Sequence, residues 1–185
     1  MPSRINRIKQ IVAFLGVLAM TATVARAQMP SVADLDAHSR ASGNRIDLAQ
    51  RVGDSIFRTT WNAQVIHVSA NSADGHTVIG LALSGVKFHA AITRAQFVAE
   101  IVDLVRRSFA AAPQAGEVDL WADVPIPVFK GEIVSGDLAK PAWRNVFTIS
   151  AMRGESTAKL VQRIDRGEGV FWDQEWAKTA FKQGT

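Results

Sequence analysis

Cysteine is absent from this sequence. That absence excludes a disulfide framework, a thiolate nucleophile, thiolate-ligated zinc or iron–sulfur centres, and a lipid-modified cysteine. Missing too is any uninterrupted apolar run of the about 20 residues that a membrane-crossing helix needs. The nearest approach, Ile11 to Met20, gives way to Thr21, Thr23 and Arg26. No Walker loop, dinucleotide fingerprint or Gly-x-Ser-x-Gly elbow occurs. Disorder is excluded from the opposite side, because 48% of the 185 residues are hydrophobic and the charges nearly balance.

The first 27 residues read as a targeting signal. Arg4, Arg7 and Lys9 precede the apolar run, Ala25-Arg26-Ala27 follows it, and no acidic residue occurs before Asp34. This is the charge, apolar core and small-x-small pattern of a cleaved secretory peptide. Its loss would take four of the 21 basic side chains and none of the 17 acidic ones. Seventeen of each sign would then remain on 158 residues, so the apparent basicity is no argument for nucleic acid or anionic lipid as a partner. The expected location is periplasmic or secreted, with no transmembrane segment in the mature form.

The mature chain reads as an α+β fold. Residues 28–43 are small and polar and are expected to be a mobile lead-in to one domain over 44–185. Asn44 reads as an N-cap, followed by Ile46, Ala49, Val52 and Ile56 at helical spacing, which predicts a helix from about Arg45 to Thr60. Gln64 to Ala70 and Thr77 to Ser84 are strand-like and flank Asp74-Gly75, a strong hairpin signal. Thr93-Arg94-Ala95-Gln96 is a capping box ahead of Phe97, Ile101, Leu104 and Val105, so a second helix begins there. Glu117 to Val124 alternates as a half-buried strand, and Asn145 to Ala151 supplies another. Leu160, Val161 and Ile164 return to helical spacing, and Trp172 and Trp176, four apart, suggest a last short helix. The order helix, hairpin, helix, strand, strand, helix predicts an antiparallel sheet of about four strands with helices packed mainly on one face.

Chemistry-bearing patterns are few. Ser84-x-x-Lys87 and Ser156-x-x-Lys159 have the spacing of a serine–lysine nucleophile pair but lack its companion motifs, and Ser156 reads better as a helix cap. His38, His67, His76 and His89 are scattered without zinc-ligand spacing, so neither metal nor cofactor is expected. Glu117, Asp119 and Asp123 share one strand face with Trp121. Carboxylates about 6.6–7 Å apart beside a tryptophan could serve glycoside hydrolysis, although alternation of this kind usually marks a solvated face. Pro125 to Arg144 is a long connection rich in apolar residues, including Phe129, Ile133 and Trp143, and long connections in compact domains tend to carry function.

Two readings result. The first is an exported, non-enzymatic binding module for an envelope protein or glycan, with Trp121, Phe129, Ile133 and Trp143 as contact residues. The second is a small glycan-acting hydrolase using Glu117, Asp119 and Asp123. Both require export, and intact-mass measurement of the envelope form is expected to show a chain beginning at Gln28. Recovery of the full-length mass would identify the first segment as an anchor.

Overall fold

The computed structural model describes residues 32–126 and 142–182, with side chains from Arg40 onward. Helix α1 spans Val32–Phe57, and strands β1 (Ala63–Ala73) and β2 (His76–Phe88) form a hairpin. Helix α2 (Arg94–Ala111) leads to β3 (Ala115–Pro125), and β4 follows as Trp143–Met152. Helix α3 (Thr157–Arg166), the short β5 (Val170–Trp172) and helix α4 (Gln174–Ala180) follow. The expected signal segment at 1–27, and Phe129 and Ile133 in the long connection, lie outside the described residues.

Among the described residues the sheet is mixed and has five strands in the order β1-β2-β3-β4-β5, not four antiparallel ones. The departure has one cause. Helix α2 carries the chain back across the sheet, so β3 enters parallel to β2, as a strand–helix–strand crossover requires. The other three pairings are antiparallel. The fifth strand, of only three residues, holds Trp172 against Phe147, whereas Trp176 lies in α4. The four-residue spacing of these tryptophans therefore bridges two elements instead of marking one helix.

Local signals were otherwise obeyed closely. Asp74 and Gly75 both adopt positive φ (48° and 80°), the backbone of a tight hairpin turn. Thr93 and Gln96 form the reciprocal capping box, and Ser156 accepts from the Lys159 amide at the start of α3. Helix α1, in contrast, begins at Val32 instead of Arg45, so Asn44 lies within it and caps nothing. Ala33, Leu35, Ala37, Arg40 and Ala41 are strong helix formers, and they outweigh Ser39, Ser42 and Gly43.

One core lies between the helices and one face of the sheet. It takes Leu48, Val52 and Ile56 from α1, Phe97, Ile101 and Leu104 from α2, and Ile79, Leu81, Val118, Leu120, Phe147 and Ile149 from the strands. At its C-terminal end Phe97 packs against Phe147, Trp172, Trp176 and Phe181. The Trp176 indole N–H donates to the Gly85 carbonyl (2.7 Å), which closes the core over 91 residues of sequence. Glycine is required at 85, since a methyl there would come within 2.9 Å of Val124, Val146 and the Asp123 carbonyl.

Helix α2 ends without a glycine cap or a basic residue in its last turn. Arg153, just beyond β4, supplies what is missing. Its guanidinium donates to the carbonyls of Ala115 (2.6 Å), Ala112 (2.7 Å) and Phe109 (3.1 Å), and stacks on the Phe109 ring. Orphan carbonyls at a helix C-terminus are thus satisfied by a cation, the favoured sign there. Arg153→Ala is expected to lower unfolding free energy by about 1–3 kcal/mol. Arg153→Lys should restore only part of it, because an ammonium cannot fork across three carbonyls. Urea denaturation of both variants checks this.

Candidate functional site

The two sheet faces differ sharply. On the face away from the core, cross-strand register builds transverse rows of side chains. Ser69, Gly80, Asp119 and Ser150 form one row, and His67, Ala82, Trp121 and Thr148 form the next. Trp121 is half-buried because its ring extends over Gly80. A methyl at that glycine would stand 3.1 Å from the indole and 2.5 Å from the Ser69 hydroxyl. The small residue in β2 makes the seat on which the large residue of β3 lies.

The three carboxylates of β3 are on this face, as the alternation predicted, and each has a partner. Glu117 meets His76 Nε2 at 2.9 Å, Asp119 accepts from the Ser150 hydroxyl, and Asp123 accepts from Asn145 Nδ2 at 3.0 Å. Burial holds the Asp119 carboxyl above the usual aspartate range, opposed by the Ser150 hydrogen bond and reinforced by the neighbouring Glu117 charge. The His76 imidazole is raised above its ordinary value by its hydrogen bond to Glu117.

Other nominated residues are dispersed. Trp143 opens β4 opposite Pro125, is 56% exposed and lies away from the packed aromatic cluster. In both serine–lysine pairs the hydroxyl is used locally: Ser84, within β2, and Ser156, at the start of α3, accept from the main-chain amides of Lys87 and Lys159. His67 is exposed on β1 and shares the open face with Ser69 but not with Val65, because a bulge intervenes. Among the described residues no group of three or more His, Asp or Glu could hold a metal ion.

A concavity beside this face was not anticipated from the sequence. A groove of about 630 Å³ runs between α1 and β1, with Ile46, Ala49, Gly53 and Phe57 on the helix side. The strand side is formed by Ile66, His67, Val68, Ser69 and Ala70. Ile46, Phe57 and Ile66 are 57%, 58% and 53% exposed, although Ile46 was expected in the buried stripe. Leu48, Val52 and Ile56 fill that stripe. Ile46, Gly53 and Phe57, seven and then four residues apart, make a separate apolar flank. That second flank was the available signal, since one core needs only one stripe.

Several contacts fix the position of the groove. The five residues joining α1 to β1 are held by Glu100 of α2, which accepts from the Asn62 amide, the Asn62 side chain and the Ala63 amide. The Trp61 indole donates back to the Ile56 carbonyl, and the Arg107 guanidinium covers its ring at 4.9 Å. In β1, Val65 and Ile66 together oppose Leu83, a bulge that leaves Ile66 projecting into the groove instead of the core.

The open face makes a prediction about protons. Because the folded-state pKa of His76 is raised, the stability it contributes is complete below the ordinary histidine value and is lost as pH rises through the higher one. Asp119, also raised, acts in the same sense at lower pH, where its contribution is lost as pH rises above the ordinary aspartate range. In NMR titration the His76 ring is expected to protonate above its ordinary value, and Glu117→Gln should return it to that value. An unchanged midpoint in E117Q would assign the shift elsewhere.

Neither a family model, nor a curated protein, nor a solved structure matches this chain.

Proposed function

We propose that this protein is an exported, non-enzymatic binding module, periplasmic or secreted, which engages an envelope protein along the α1–β1 groove. One observation carries the reading. Ile46, Phe57 and Ile66 stand more than half exposed around a single concavity, at a cost in water of roughly 25 cal/mol for every Å² of apolar surface left uncovered. Large apolar side chains gathered in a polar-rimmed concavity mark interaction sites, whereas apolar residues scattered singly over a surface do not.

The open sheet face supports the same reading from the other direction. Glu117, Asp119 and Asp123 spend their lone pairs on His76, Ser150 and Asn145, which suits a structural polar face. The glycan-hydrolase reading retains one observation. Asp119 keeps its proton to higher pH than an ordinary aspartate, as a general acid must, and Trp121 lies two residues along the same face.

Affinity capture from envelope extract separates the two. The Phe57→Ser, Ile66→Ser double variant should fold and lose its captured protein about tenfold or more, while Asp119→Asn keeps it. Capture of glycan that depends on Asp119 and Trp121, and survives the double variant, would transfer the function to the sheet face.

A further inference from the structure

Five consecutive residues of β1, Ile66 to Ala70, line the groove. Successive side chains of a strand point to opposite faces, so one concavity touches all five only if it runs along the strand's edge. β1 is the outermost strand of the sheet, and its second edge pairs with no described strand. The groove therefore has main-chain donors and acceptors along one wall and the apolar flank of α1 along the other. An acyl chain or a flat apolar surface would leave that polar wall unmatched. An extended polypeptide matches it, with main chain to β1 and alternate side chains against Ile46, Ala49 and Phe57.

Two features set the register and chemistry of such a segment. The bulge at Val65–Ile66 breaks the regular edge, so pairing begins at about Val68 and runs toward Ala73. Arg45 lines the groove and has no hydrogen-bond or ion-pair partner among the described residues. Because α1 and β1 run antiparallel through their short connection, Arg45 lies toward the Ala70 end and Asp54 toward the Ile66 end. A guanidinium at one end and a carboxylate at the other give the groove a charge direction.

We infer that the groove takes an extended segment of a partner protein as an added strand on β1. This rests on the binding-module reading above. The segment carries alternating apolar side chains, with an acidic residue at the end that meets Arg45.

The test uses the mature protein and a phage-displayed random dodecapeptide library, followed by synthetic copies of the enriched peptides. Enriched peptides should alternate apolar and polar residues with an acidic residue toward one end. Their binding should slow hydrogen exchange at alternate amides between Val68 and Ala73. Methylating alternate peptide nitrogens on one edge should weaken binding about tenfold or more, and methylating the other edge should not. Arg45→Glu should weaken acidic peptides and be rescued by exchanging their acidic residue for lysine. Enriched peptides that bind as helices, that ignore amide methylation, or that leave β1 exchange unchanged would overturn the strand, as would a failure to enrich any. Those outcomes leave the groove reading standing if Phe57→Ser, Ile66→Ser still abolishes capture of the envelope protein. Capture that survives the double variant removes the groove reading itself.

Discussion

One geometric constraint governs this molecule: α2 can lie on only one face of the sheet. Having crossed from β2 to β3, it brings β3 in parallel to β2 and commits that face to the core. Helices α1, α3 and α4 then contribute to the same core, because an apolar stripe is stabilised only where another apolar surface already lies. Among the described residues no helix packs on the far face, where glycine, alanine, hydroxyls, histidines and carboxylates surround Trp121. Asymmetry of this kind leaves two surfaces with distinct characters, one polar and internally hydrogen-bonded, the other an apolar slot at the sheet's edge.

The slot arises because α1 lies at the margin of that layer. Its core stripe, Leu48, Val52 and Ile56, faces inward, so the flank at Ile46, Gly53 and Phe57 overhangs the edge of β1. The bulge in β1 adds Ile66 from the opposite side. Both features would be plain liabilities in a chain under selection only to fold. Exposed apolar side chains next to an open strand edge invite aggregation, and the usual remedies are lysines, prolines or a covering helix. β1 contains neither lysine nor proline.

Much of the fold was legible residue by residue. The Asp74-Gly75 turn, the Thr93 capping box, the alternation of β3 and the Ser156 cap are local devices, satisfied within four residues of sequence. What could not be read was non-local. The parallel β2–β3 pairing depends on where α2 lands, and β5 is three residues long and exists only because β4 offers it an edge. Arg153 shows the same limit. Nothing near it in sequence reveals that it caps a helix ending some forty residues earlier. For the site, alternation placed Glu117, Asp119, Trp121 and Asp123 on one face correctly, but their partners His76, Ser150 and Asn145 come from other strands. The α1 groove is not legible in the sequence because Ile46 fits helical spacing with Ala49 as well as with the buried stripe, and the bulge that turns Ile66 outward has no glycine to announce it.

The bond from the Trp176 indole to the Gly85 carbonyl has a consequence for the order of events during biosynthesis. A ribosome delivers this chain from its N-terminus, so about 90 residues separate the end of β2, and about 65 the end of α2, from the Trp176 of their aromatic lid. Through that interval Phe88 and Phe97 have neither Trp176 nor Phe181 to cover them. A nascent chain of this design stays incompletely closed until α4 and Phe181 emerge, so Phe97 gains its aromatic cover last.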